Sequence, residues 1–600
     1  MNSRWVTATP PPECTEALRR ERGISELVAT CLINRGIVTT EAADAFLDPR
    51  LRSLSDPMIL PDIRLAIDRL FLARERNEPL VIFGDYDVDG VTSTAILTEV
   101  LTTLGWQCSQ YLPHRRDEGY GLSQAGVENC LARHPTSLLL AVDCGSTAVD
   151  TIGWLNSRGV DVLVLDHHQL SDPLPPALAL VNPLRSPNAA IAPFCSAGLA
   201  FKLAHALVKH GRESGLVGFD TYNLKPLLDL VALGTIADLV PLIGENRILV
   251  HAGLERLDST SRVGLQALKR VSRTRSPMGV YEVGFQLGPR LNAAGRLETA
   301  EDALRLLLCD RESEAQSLAE VLDLQNRERQ EVEKRIAQEA GERVRNRFDP
   351  ERDLVIVEGD ASWHIGVVGI VASRVLREFQ RPTLILGGDG TLWRGSGRSI
   401  SGFDLAGALR DCSDLLEKHG GHAMAAGLSI DPVRLEAFRL RINDLARERL
   451  RPEHLQPEVR IDASIPLRSL SLPVVADLRR LEPFGMGNPV VQLAVRGLSH
   501  ARPPQRLKEQ HWKFWVTDGG TPVETVWWAA GDRPVPEGRF DLAVIPEAGD
   551  YGGRRFLQLR LIDWKTSDPA GVALPFIGQS NPVVAPPLSR PYLSGTSANP

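Results

Sequence analysis

From residue 79 the chain alternates short apolar runs with helix-length stretches. "EPLVIFG" (78–84), "TSLLLAV" (136–142) and "VDVLVL" (160–165) are continuous apolar runs of strand length, the pattern of strands covered on both faces. After the first, "VDGVTSTAILTEVLTTLG" opens with Asp and Gly and then carries apolar residues at helical spacing. Helix-length segments separate the runs, which predicts a parallel sheet in an α/β domain. Residues 198–205 and 224–240 continue as helices. A second, smaller α/β unit is predicted around "DLVIVEG" (353–359) and "PTLILGG" (382–388).

Residues 311–348 hold no Pro and one Gly, with Val332, Ile336, Ala340 and Val344 every four residues. The middle, "QNRERQE", is polar all round, the mark of a helix that bridges domains rather than lying on a core. From about 455 the texture changes to short β-type runs, "VVQLAVRGLSH", "HWKFWVTD", "VETVWWAA", "RFDLAVIPEA" and "RRFLQLRLIDW". Their length and spacing predict a small barrel. The expected organisation is a helical segment over 1–55, the first α/β domain over 56–310, the connecting helix over 311–348, the second α/β domain over 349–450 and the barrel over 455–565. Residues 566–600, with seven prolines and few apolar clusters, read as a disordered tail.

Composition changes this picture little. At 43% hydrophobic and 24% charged, the 600 residues have material for several cores. No run of signal-peptide or membrane-span length is present, and eight scattered cysteines form no CxxC pair. The expectation is a reduced, cytoplasmic protein without membrane attachment, disulfide framework or zinc site. The net charge of −7 does not advertise a nucleic-acid binder, though a local basic face can act within an acidic protein.

The chemistry sits where the apolar runs end. Asp85, Asp87 and Asp89 follow the first run, Asp143 the second, and Asp166, His167 and His168 the third. Three like charges within five residues repel one another unless a cation sits among them. Open parallel sheets bind ligands off the carboxyl ends of their strands, so these groups are aimed at one rim. Asp238, in "LGTIADLVP", is an acid in an apolar stretch, which is costly unless paired or metal-bound. Carboxylates with an imidazole suit Mn²⁺ or Mg²⁺. Several carboxylates and one His can hold two ions about 3.5–4 Å apart, the spacing that activates water and stabilises the leaving oxygen in phosphoryl displacement. Singly, each element has a plainer reading. A calcium loop is excluded because Ile96 stands where its glutamate belongs. "DHH" alone could be a helix cap with surface histidines, and Asp143 alone could cap a helix. All four elements in one domain predict a shared metal site.

At these residues the sequence resembles the DHH phosphoesterase superfamily, and within it the RecJ family of single-strand-specific DNA exonucleases. "FGDYDVDGVTST", "GYGLS", "VDCGS", "DHH", "ALGTIADLVPL", "LGPRLNAAGRL", "WHIGVVGIVASR", "GSGRS", "GGHAMAAGL" and "LEPFGMGNP" follow that family's order from about 80 to 490. The resemblance implies a DHH domain joined by a long helix to a smaller α/β DHH-associated domain, with an OB-type β-barrel beyond. It implies two divalent metal ions, Mn²⁺ or Mg²⁺, held by Asp87, Asp89, Asp143, His167 and Asp238, with Asp143 bridging. Asp85 is implied as a ligand or as support for one, and His168 as the group on the scissile phosphate or leaving group. Some relatives place a histidine where Phe83 stands, which makes Asp85 its substitute here. Ile365 and Ser146 stand where RecJ relatives commonly have Pro and Ile, and neither change touches a chemical group.

Cations must also face the phosphate oxygens. The motifs offer Arg115, Arg290, Arg296 and Arg398, with Asn292 and Ser396 as hydrogen-bond donors, and the resemblance adds His422. Arg115 or Arg296 is favoured for a 5′-phosphate. In the barrel, Arg502, Arg506 and Lys513 alternate with Trp512, Phe514 and Trp515, a combination that tracks a phosphate backbone and stacks unpaired bases. Trp512 and Phe514 share one strand face, so one face belongs to the core; Arg502, Trp512 and Lys513 are the expected DNA contacts. The implied function is a metal-dependent 5′-to-3′ exonuclease that degrades single-stranded DNA to mononucleotides in recombination and repair. It would act as a monomer beside a helicase and a single-strand-binding protein. The alternatives are a phosphodiesterase for short oligonucleotides or cyclic dinucleotides, and a non-catalytic replication scaffold.

Overall fold

The structure is a computed structural model. It describes residues 3–114, 117–119, 121–186, 193–297, 299–388 and 390–567, with the backbone alone at Arg296 and Leu297. The tail read as disordered begins at 566, and from 568 on it lies outside the described residues. Contacts divide the chain into two units. One holds Arg35–Ile461 with Pro473–Val491 and the first few residues; the other holds Ala8–Asn34, Asp462–Leu472 and the residues from Gln492 on. The N-terminal segment is not wholly helical: Arg4–Thr7 pairs in parallel with Glu458–Ile461.

The first sheet comprises β1 (Leu80–Phe83), β2 (Cys108–Tyr111), β3 (Leu138–Val142), β4 (Asp161–Leu165) and β5 (Ala179–Val181). All are parallel, in the order β2-β1-β3-β4-β5. The chain leaves β1 for β2 on one side, then returns to place β3 on the other. The gap between β1 and β3 is therefore the topological switch point, where the carboxyl ends open a crevice for ligands. Alternate residues feed two cores: Leu80, Ile82, Leu138 and Leu140 face one, Val81, Phe83, Leu139 and Ala141 the other. Three helices matter to the crevice: α1 (Val88–Thr103), α2 (Ser196–Glu213) and α3 (Leu228–Ala237). A fourth, α4 (Gly288–Leu297), follows a π-helical turn over Glu282–Leu287.

The long helix α5 runs over Glu312–Arg347, about 54 Å at 1.5 Å per residue. Its first turns put Ala315, Leu318, Ala319 and Leu322 into the first domain's core. Its last turns put Ile336, Ala340 and Val344 into the second domain's core. The polar middle is not solvated: Asn326, Arg329 and Glu333 are buried. They survive burial by pairing: Arg329 bonds Glu333 at 2.8 Å and Asn326 at 3.2 Å, and Arg374 meets Glu333 at 2.7 Å.

The second sheet is mixed: β6 (Ile356–Asp360), β7 (Thr383–Gly387), β8 (Trp393–Arg398), β9 (Lys418–His422) and β10 (Ala425–Ile430), in the order β9-β10-β8-β7-β6. Helix α6 (Val368–Phe379) crosses from β6 to β7, the one parallel pair. In the other unit, β11 (Leu493–Leu507), β12 (His511–Thr517), β13 (Val523–Trp527), β14 (Phe540–Tyr551) and β15 (Arg554–Thr566) pair in a closed ring. Around it β11 pairs β12, β12 pairs β13, β13 pairs β15 in parallel, β15 pairs β14, and β14 returns to β11. This ring is the OB-type barrel. Among the described residues no helix is long and apolar enough to cross a membrane.

Candidate metal centre

The acid-bearing strands β1, β3 and β4 are neighbours in the sheet, so their carboxyl ends meet at the switch point. The turn after β1 is tight: a Cβ at Gly90 would lie 2.5 Å from the Asp85 carbonyl oxygen. Asp87 caps α1, its Oδ1 accepting from the N–H groups of Asp89 at 2.9 Å and Gly90 at 3.1 Å. Asp89 is buried and accepts from the first N–H groups of α2, Ser196 at 2.6 Å and Ala197 at 2.8 Å. The positive end of that helix thus faces a carboxylate. Asp143, just past β3, has φ 62°, a left-handed conformation that Asp tolerates better than most residues. Its Oδ1 accepts from Ser196 Oγ at 2.9 Å.

His167 gathers the cluster. Its Nε2 lies 3.4 Å from Asp143, 3.5 Å from Asp238 and 3.8 Å from Asp89. Three ligand sets have donor atoms within 4.8 Å of one another: Asp85, Asp87 and Asp143; Asp89, His167 and Asp238; Asp143, His167 and His168. Asp143 belongs to two of them, as a bridging ligand would. Among the described residues, the buried His167 Nε2 and Asp238 Oδ2 have no hydrogen-bond partner. Such orphaned polar atoms beside acids are costly, and cation coordination satisfies them. The donor set therefore fits two hard divalent ions.

The electrostatics agree. Burial, with the charges of Asp89 and Asp87, pushes Asp143 well above the carboxylate range. The same causes push Asp238 up to about 9. Burial holds His167 below its ordinary value, which keeps a neutral imidazole available as a ligand. His168 goes the other way: burial pulls it down, but the hydrogen bond and charge of Asp166 raise it to about 9. Asp166 itself is buried yet well below the carboxylate range, because burial is outweighed by His168 at 2.8 Å and by Ser146 N–H at 3.0 Å. Its Oδ1 also accepts from the backbone N–H groups of His167 and His168.

Several expected contacts come out differently. Arg290 spends its nitrogens inside the protein: Nε and Nη2 meet Asp323 at 2.9 Å, and Nη1 donates to the Gln286 carbonyl at 2.6 Å. Asn292 turns its side-chain carbonyl to the Val88 N–H at 3.0 Å, supporting the acidic turn rather than standing free as a donor. Ser396 and Arg398 lie together on β8, 3.0 Å apart, and Arg398 has no carboxylate partner among the described residues. Burial lowers its pKa, the mark of a cation short of a counter-charge. His422 is exposed on the edge strand β9. Arg115 and the side chain of Arg296 lie outside the described residues.

In the barrel, Lys513 is paired with Glu524 at 2.7 Å. Trp512 shares its face of β12 with the buried Phe514 and Val516, and its Nε1 is buried. The outward ring is Trp515, with Arg502 at 5.0 Å and Lys513 at 5.1 Å from its centre. Sequence reasoning also missed Ser196 and Asn182. Asn182 bonds Ser146 Oγ at 2.9 Å and the His168 carbonyl at 2.8 Å, so Ser146 is part of the hydrogen-bonded support of "DHH" rather than a neutral replacement. Periodicity gives no signal for any of these three.

Known proteins give an independent view. Residues 79–235 match the DHH family, N-terminal domain; 353–448 match the DHHA1 domain; 461–563 match the RecJ OB domain. The chain is 35% identical to the single-stranded-DNA-specific exonuclease RecJ of Bacillus subtilis, over 94% of this chain and 71% of that protein. It is 38% identical to the same-named protein of Dickeya dadantii, over 86% and 92%. The structure is similar to the crystal structure of RecJ in complex with Mn²⁺ from Thermus thermophilus, with TM-score 0.81 and 33% identity over 94% of this chain and 80% of that one.

Proposed function

The chain belongs to the RecJ family of single-stranded-DNA-specific exonucleases, and from that premise we propose that it removes mononucleotides stepwise from the 5′ end of single-stranded DNA. It is a metal-dependent hydrolase. The observation that carries the reading is the convergence of Asp89, Asp143 and Asp238 on His167 Nε2 within 3.8 Å at the switch point of the sheet.

Asp85, Asp87, Asp89, Asp143, His167 and Asp238 would hold two divalent cations, Mn²⁺ or Mg²⁺. When bound, these supply Lewis-acid charge for the phosphate and lower the pKa of water. The chain's own groups do the rest. Asp166 fixes the His168 ring through Nδ1 and keeps it protonated at neutral pH, so Nε2–H can donate to a phosphoryl or leaving oxygen. Ser196 orients Asp143. Arg398 and Ser396 suit a terminal phosphate because among the described residues that arginine has no carboxylate partner. Arg502 and Trp515 on the barrel suit a single strand, cation and ring together. A cytoplasmic setting fits eight free cysteines. Work as a monomer beside a helicase and a single-strand-binding protein completes the proposal.

The test uses 5′- and 3′-labelled single and double strands with Mn²⁺, Mg²⁺ or chelator. Mononucleotides should leave the 5′ end of single strands only, and only with metal. Release from the 3′ end, or undiminished activity in chelator, would refute it.

A further inference from the structure

The π-helical turn before α4 presents two aromatic rings to solvent. Tyr281 and Phe285 are 61% and 69% exposed, yet they stack on each other, with ring centres 5.1 Å apart and planes 27° from parallel. In the segments that meet this turn, where Gly284 faces Ile236 and Gly485 faces Val280, Leu239, Ile243 and Met486 are also exposed, at 66%, 37% and 55%. These positions are linked through the backbone. Leu242 N–H donates to the Met486 carbonyl at 2.7 Å, and Gly487 lies against Ile243. Exposed apolar side chains gathered in adjoining segments, two of them stacked rings, mark a binding surface.

Its place identifies the occupant. The turn packs against the end of α3, Gly284 facing Ile236, and α3 ends at Asp238 of the metal centre. Phe285 lies seven residues before Asn292, about 10 Å along the helix axis. Asn292 bonds Val88 in the acidic turn. The turn is therefore tied through α3 and α4 to the two segments that carry Asp238 and the acidic turn. Arg273 and Arg275, in the segment that leads into Tyr281, are exposed and carry no ion pair among the described residues. Stacked rings with exposed arginines a few positions upstream in the chain match the chemistry of unpaired bases on a phosphate backbone. π-helical turns also recur at functional sites.

We propose that Tyr281 and Phe285 form a stacking platform for bases of the single strand beside the metal centre. This rests on the nuclease reading and adds a base-contacting subsite to it. The platform is sequence-tolerant, because every base offers a π face.

The test compares Phe285→Ala, Tyr281→Ala and the conservative Phe285→Trp in the full chain, on a single strand and on the same strand carrying abasic residues. The alanine variants should raise KM about tenfold or more, with kcat and Mn²⁺ binding unchanged. Phe285→Trp should restore KM, and the abasic strand should not distinguish wild type from variant. Unchanged KM overturns the proposal. So does an equal rise on both strands, which would assign the effect to the sugar–phosphate backbone or to the fold rather than to base stacking. Equilibrium binding of a strand containing 2-aminopurine, read by quenching, makes the same comparison without hydrolysis. Failure of the platform and failure of the nuclease reading are thereby told apart.

Discussion

The side-chain carbonyl of Asn292 accepts the Val88 N–H at 3.0 Å, tying α4 to the first turn of α1. Two further contacts fix the same junction. Gly295 lies so close to the Tyr86 carbonyl that a Cβ there would approach to 2.5 Å, and Arg290 anchors α4 to Asp323 of the long helix. The turn carrying Asp85, Asp87 and Asp89 is thus braced by a helix more than 190 residues away in sequence.

Asn292→Ala removes that brace without touching a ligand atom. Outer partners of this kind are worth about 10–100-fold in metal affinity. Calorimetry should find Mn²⁺ binding weakened about tenfold. Asn292→Asp, which keeps an acceptor for the Val88 N–H, should bind nearly as wild type.

Asp143→Asn separates charge from conformation. Asn tolerates the left-handed backbone at φ 62° nearly as well as Asp, so the fold should persist. Activity should fall at least about a hundredfold, since a ligand counts for more than its outer partners. The metal-free variant should melt higher than the wild type, because one of the mutually repelling carboxylates is gone. A wild-type nuclease rate would remove Asp143 from the centre.

The metal-free protein should lose stability as pH rises. Burial first, and then neighbouring charge, raises Asp238 to about 9 and moves Asp143 the same way. Between the ordinary carboxylate range and about 9 the folded state therefore holds protons that the unfolded chain has released. Stability falls across that window. A divalent ion displaces those protons, so its apparent affinity should climb with pH over the same range. Calorimetry at pH 7 in buffers of different ionisation enthalpy should detect proton release on Mn²⁺ binding.

On the barrel, Trp515→Ala should weaken single-strand binding, by about 1–3 kcal/mol if the ring stacks a base. Trp512→Ala should leave binding little changed and lower thermal stability, because its face holds Phe514 and Val516. Fluorescence anisotropy and a thermal melt distinguish the two.

Much of the centre was legible because its residues stand at the ends of apolar runs. Asp85, Asp143 and His167 needed only the rule that ligands gather at carboxyl ends of parallel strands. The arginines were less legible. Arg290 and Arg398 each stand within two residues of a glycine in sequence, yet one is consumed by Asp323 and the other has no carboxylate partner among the described residues. That difference depends on Asp323, more than 30 residues on from Arg290. Trp512 is the contact expected from sequence, and Trp515 stands on the opposite face of β12, because alternation separates two strand faces without saying which one is inward.

By itself the sequence determined the parallel sheet, the long helix, the barrel and the acids at the sheet's rim, because hydrophobic periodicity and local turn chemistry are properties of neighbouring residues. Only the tertiary structure decided which strands are adjacent, that His167 rather than His168 faces three carboxylates, and which cations remain unpaired. Those outcomes depend on distances between residues far apart in the chain, and packing sets them.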